Sequence, residues 1–161
     1  MPFDGYLKLE GVDSEATRQG FEKQIEVVSF DWGAHNPSTI GSGGGGGSGR
    51  VEVSRFNVTK KTDKASPLLF QACCSGRHFP KATLVLHKAG GNSAVDYLKL
   101  NFEEVFVEDV RWSGQTGGDD RPMESVSFAF GKVEMTYTPQ KADGTKDSPV
   151  VASWDLRRVS T

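Results

Sequence analysis

At 161 residues, with 36% hydrophobic and 25% charged residues, the chain fits a single domain over residues 1–161 that needs no disulfide or metal to close its core. Its net charge of −2 excludes the basic surface that nucleic acids or anionic membranes require, and no apolar run approaches the roughly 20 residues that span a bilayer. The 19 glycines and 10 phenylalanines lean the composition toward strands and turns.

The first residues, Met1-Pro2-Phe3-Asp4-Gly5, lack the basic stretch and apolar core of a signal peptide, so synthesis is expected in the cytoplasm. Alternation begins at once: Leu7 and Leu9 alternate with Tyr6, Lys8 and Glu10, as in a strand with one dry face. Residues 34–49 are long for a connection, with Pro37 and then the run Gly41-Ser42-Gly43-Gly44-Gly45-Gly46-Gly47-Ser48-Gly49. Gly41, Gly43 and Gly46 satisfy a G-x-G-x-x-G pattern, but a phosphate cradle needs a helix next, and strand-like Arg50-Val51-Glu52-Val53 follows. A native extended loop, spanning about residues 34–50, is the expectation.

Beyond the glycines, Val51 and Val53 sit on one phase and Phe56 and Val58 on the other. A one-residue slip turns every later side chain to the other face, so the switch at Ser54-Arg55 predicts a bend. The same logic predicts bends at Glu103-Glu104, between Phe102 and Val105, and at Gly131, between Phe128-Ala129-Phe130 and Val133, Met135 and Tyr137. One helix is expected over about 66–75, with Ser66 as N-cap, Pro67 in the first turn, a stripe of Leu68, Leu69, Ala72 and Cys73, and Gly76 as terminator. Further alternating strands contain Leu84 and Leu86; Leu98, Leu100 and Phe102; and Ala152, Trp154 and Leu156. Residues 113–120 and 138–149 read as loops. Long strands bent at bulges predict a mainly β fold, a bent antiparallel β-barrel or tight sandwich flanked by one short helix.

Candidate chemistry is sparse. Cys73 and Cys74 are adjacent, which suits neither a disulfide nor a tetrahedral metal site with His78 and His87, and buried reduced thiols are expected. Glu103 and Glu104 face opposite sides of a strand, and Asp119-Asp120 lie in a Gly-rich loop where solvation is expected. His35, His78 and His87 accompany no nucleophile-elbow motif. No catalytic, cofactor or metal residue is assigned, and no cofactor is expected. Mixed faces such as Val95 and Tyr97 beside Lys99, or Val85 beside His87, are less polar than a solvent face. They fit a surface covered by another subunit, and equally a monomer with ordinary surface hydrophobes, such as a ligand-binding β-barrel.

Several segments, in order along nearly the whole chain, carry a resemblance: Ser29-Phe30-Asp31-Trp32-Gly33, the glycine run into Arg50-Val51, and Lys64-Ala65-Ser66-Pro67-Leu68-Leu69. They continue with Ala72-Cys73-Cys74-Ser75-Gly76-Arg77-His78-Phe79-Pro80, Lys88-Ala89-Gly90-Gly91 and Tyr137-Thr138-Pro139-Gln140-Lys141-Ala142-Asp143-Gly144. The set resembles the haemolysin-coregulated protein (Hcp) family, the tube protein of type VI secretion systems. That resemblance implies hexameric rings stacked into a hollow tube, exported without a signal peptide, carrying small effectors in its lumen and partnered by spike and sheath proteins. It implies no enzyme activity, nucleic-acid binding or membrane insertion. It makes Gly41 to Gly49 a contact loop between subunits or rings, and places Asp31 on a lumen-facing strand, where family members often carry a small polar residue.

Overall fold

The computed structural model describes residues 3–37, 40, 50–88 and 95–158. In chain order the elements are β1 (Phe3–Leu9), β2 (Ile25–Val27), β3 (Ser29–Asp31), β4 (Ala34–His35), β5 (Glu52–Val53), β6 (Phe56–Lys61) and α1 (Ser66–Ser75). Then follow β7 (His78–Lys88), β8 (Val95–Ser113), β9 (Met123–Ala129), β10 (Lys132–Tyr137) and β11 (Val150–Asp155). The fold is mainly β with one short helix, as expected.

All the strand pairs are antiparallel. The main sheet runs β2-β1-β7-β8-β9-β6-β3, with β10 and then β11 added beside β8, while β4 and β5 pair separately. Its architecture turns on the long strand β8. Residues 98–103 pair with β10 and residues 106–113 with β9. The two halves meet at Glu104, whose φ of 54° is a left-handed conformation that breaks a strand's pleat. The adjoining strand bends at the same level, where the Gly131 N–H donates to the Glu103 carbonyl at 2.9 Å. Pro80, which has no N–H to give, lies level with this bend, between the pairs Phe79–Val105 and Lys81–Glu103. The phase switches at Glu103-Glu104, Gly131 and Ser54-Arg55 therefore mark real breaks in the sheet.

The barrel expectation needs one correction. The edge strands β2 and β3 are separated only by Val28, and each pairs elsewhere, β2 with β1 and β3 with β6. The Val28 N–H donates to Thr59 of β6, so the chain crosses from one edge to the other without pairing with itself. The ladder stays open, and covalent continuity does what a closing ladder does in a barrel.

The bent sheet wraps one main core. Phe56 stacks on Phe102 at 4.5 Å between ring centroids and lies 5.8 Å from Phe128, with Leu7, Leu9, Ile25, Leu84, Leu100 and Val107 filling the spaces between. Loop residues 13–24 cover the outer side of β1 and β7, where Tyr6, Ala16, Phe21 and Val85 form a smaller second core.

Helix α1 closes the main core with Leu69 and Ala72, while Leu68 is exposed and Cys73 half-buried, so the stripe is narrower than predicted. Gly76 ends the helix in the left-handed region (φ 71°), as expected. The N-terminus differs: Ala65 is the cap residue and makes no side-chain cap bond. The Ser66 hydroxyl is drawn instead into a buried polar cluster, and Asp63 Oδ1 accepts the Ala65 N–H at 3.0 Å.

Candidate functional site

The sequence-predicted chemical residues do not converge. Among the described residues no cluster of His, Cys, Asp or Glu could hold a metal. Cys74 is exposed and Cys73 half-buried, which corrects the expectation of buried thiols: the narrow buried stripe of α1 leaves both near its rim. The His78 ring lies against Phe106 at 5.2 Å, and His87 is locked between Arg18 and Asp96. Glu103 and Glu104 are both reached by Arg157, at 3.7 and 3.1 Å, which also bonds Asp155. Asp119 is paired rather than merely solvated. The Lys61 ammonium, followed by the Asp120 hydrogen bonds, draws its pKa down to about 2.

Two other surfaces stand out. The first is the outer face of β3, β6, β9 and the second half of β8. Register places Asp31 opposite Asn57, Asn57 opposite Ser127 and Ser127 opposite Asp109. A second row joins Ser29, Thr59, Ser125 and Arg111. Directly opposed residues share a face, so this side of the sheet is a field of small polar groups. Ser127 donates to Asn57 Oδ1 at 2.5 Å, and Arg111 pairs with Asp109 at 3.1 Å. Asp31 is exposed, and among the described residues no cation pairs with it. Its neighbours Phe30 and Trp32 turn the other way and pack on the core, Trp32 edge-on to Phe102.

The second surface was not legible as such. Rows continue from the core face of β8 across β10 into β11: Phe102–Val133–Trp154, Leu100–Met135–Ala152 and Leu98–Tyr137–Val150. Phe102, Leu100 and Val133 are buried, yet Met135, Tyr137, Val150 and Trp154 are 40%, 48%, 66% and 45% exposed. The β10–β11 hairpin thus carries the dry side of the sheet past the edge of the core, as an apolar shelf. Alternation correctly assigned Met135, Tyr137, Ala152 and Trp154 to a dry face but wrongly implied that this chain covers it. Among the described residues, strand β11 pairs only with β10. A smaller apolar patch lies near the far end of β8, where Phe70 of α1 meets Trp112 at 6.0 Å.

The family model described as "Type VI secretion system effector, Hcp" matches residues 6–137. The chain belongs to the Hcp family. Protein hcp1 of Pseudomonas aeruginosa is 40% identical over 159 residues, covering 98% of each chain. A solved type six secretion system protein superposes with a TM-score of 0.92 at 37% identity, over 97% of both chains. Hcp1 from Salmonella typhimurium superposes at 0.77 with 31% identity, over 98% of this chain and 96% of that one. This Hcp protein is thereby placed in type VI secretion. Among its described residues no helix is long and apolar enough to cross a membrane.

Proposed function

We propose that this Hcp protein is a single-domain structural subunit of the type VI inner tube, acting by assembly and not by catalysis. The observation that carries the reading is the apolar shelf of β10 and β11. At their exposures, Met135, Tyr137, Val150 and Trp154 together offer on the order of 400 Å², about half of the roughly 800 Å² that each partner contributes to a standard interface. A ring requires two different surfaces on each subunit, because a head-to-tail contact closes only by repetition. The shelf and the Phe70–Trp112 patch, at opposite ends of the bent β8, satisfy that requirement.

In this reading six copies form a ring, rings stack into a tube, and the tube, housed in a contractile sheath, is propelled out of the cell behind a spike. The polar field around Asp31 faces the lumen and meets effector cargo, and Asp31 adds one negative charge for each subunit. Gly41 to Gly49 lie outside the described residues, and we assign them to contact with a neighbouring subunit or ring, where glycine lets backbone approach closely. The dense stacking of Phe56, Phe102 and Phe128 supports this reading over a monomeric ligand-binding barrel, whose interior must stay open.

Light scattering after size exclusion and negative-stain microscopy test the proposal. The native chain should give ring-sized particles, and Tyr137→Asp/Trp154→Asp should give folded monomers with an unchanged circular dichroism spectrum. A native chain that stays monomeric at high concentration would overturn it.

A further inference from the structure

Residues 13–24 form a flap over the outer face of β1 and β7. Its own backbone bonds shape it: the Ser14 N–H donates to Lys23 at 2.6 Å, Lys23 to Ala16 at 2.8 Å and Ala16 to Gln24 at 3.2 Å. Phe21 anchors it by stacking on Tyr6 at 4.3 Å. The polar anchor is more unusual. Register sets His87 of β7 directly between Asp4 of β1 and Asp96 of β8. Its Nδ1 lies 2.6 Å from Asp96 Oδ1 and its Nε2 lies 2.9 Å from Arg18 Nη2, while Arg18 Nη1 donates to Asp4 Oδ2 at 2.9 Å. The Phe21 and His87 ring centroids are 5.5 Å apart in a T-shaped arrangement, and His87 is only 6% exposed.

These neighbours fix the proton. A guanidinium has N–H donors and no acceptor, so Nε2 must present its lone pair to Arg18. The single ring proton then sits on Nδ1 and is donated to Asp96. We propose that His87 is an acid-sensitive latch: a proton taken from solvent onto Nε2 expels Arg18 and loosens the flap.

The argument is one of hydrogen-bond direction. A proton on Nε2 sets N–H against N–H and brings two cations to hydrogen-bonding distance. The Asp96 bond survives, because Nδ1–H is a donor in both states, and Arg18 can keep Asp4. Only the Arg18–His87 bond, which ties the flap to β7, must break. Among the described residues, the charged groups flanking the ring on its side of the sheet are Asp4 from β1, Arg18 from the flap, and Asp96 and Lys99 from β8, while Lys88, next along β7, lies over the Tyr97 ring at 5.7 Å. Histidine is the side chain whose charge ordinarily changes between about pH 5 and 8, so mild acid is the condition that tests the latch. It does not depend on the assembly reading.

Nitrogen-15 NMR of the imidazole in the intact chain at pH 7.5 should show the Nδ1–H tautomer. Hydrogen exchange at the Ser14, Ala16 and Lys23 amides, corrected for intrinsic pH dependence, should speed up about tenfold from pH 7.5 to 5, as expected for losing one charge-assisted bond. His87→Gln can accept from Arg18 at every pH, and should abolish that response. An Nε2–H tautomer, unchanged native protection at pH 5, or an equal response in His87→Gln would each overturn the latch. The tautomer and the native exchange decide the matter even if the variant fails to fold.

Discussion

Removing Glu124 should cost this Hcp protein more than its size suggests, because it leaves a buried ammonium poorly matched. Lys60 and Glu124 face each other across the β6–β9 ladder, and neither side chain reaches solvent. The three N–H donors of the Lys60 ammonium are shared among Glu124 Oε1, Asp63 Oδ1 at 2.9 Å, Ser66 Oγ at 3.1 Å and the Lys61 carbonyl at 3.2 Å. Ser66 also donates to Glu124 at 2.8 Å, so the cluster ties the start of α1 to the sheet. Breaking a buried pair by deleting one partner costs about 3–5 kcal/mol. Asp63 remains as a second counter-charge, so Glu124→Ala should sit near the lower end, about 3 kcal/mol. For a chain of this length that lowers Tm by about 10 °C. Lys60→Met/Asp63→Asn/Glu124→Leu removes all three charges and should fall within about 1 kcal/mol of the native chain, since apolar replacement of a buried ion cluster is often neutral. Urea unfolding of the single and triple variants at one protein concentration measures the difference. A Glu124→Ala cost below about 1 kcal/mol, or a triple variant as unstable as the single, would refute the reasoning.

Other substitutions test other parts of the fold. Phe102→Ala deletes a ring that stacks on Phe56 and lies 4.7 Å from Phe130, and should cost about 3–5 kcal/mol in the same urea measurement. Gly76→Ala meets no steric obstacle closer than Phe106 at 3.7 Å, so its cost of about 1 kcal/mol should come from the left-handed backbone and appear as a lower urea midpoint. The Arg157 hydrogen bond lowers the Asp155 pKa from 3.8 to about 2. A depressed carboxylate contributes its stability above 3.8 and loses it as pH falls through about 2, so carbon-13 titration should show Asp155 still ionised at about pH 3.

Much of this fold was legible because its signals are local. Two-residue alternation, the Pro67 start and the Gly76 stop depend on neighbours in the chain, and the phase slips at Glu104 and Gly131 are visible in the order of apolar residues. The Lys60–Glu124 cluster was not legible, since its two members lie 64 residues apart and only the β6–β9 register joins them. Ser66 illustrates the conflict: its sequence context suits a cap, but a buried carboxylate competes for the hydroxyl and wins. The apolar shelf shows the same limit differently. Periodicity states which side of β10 and β11 is dry, because side-chain direction follows from the strand itself. Whether that side is covered depends on where the core ends, and only tertiary packing fixes that boundary. Local alternation is enough for a bent β domain with a dry face on each strand; which part of that face this chain leaves uncovered, on β10 and β11, follows from packing between distant segments.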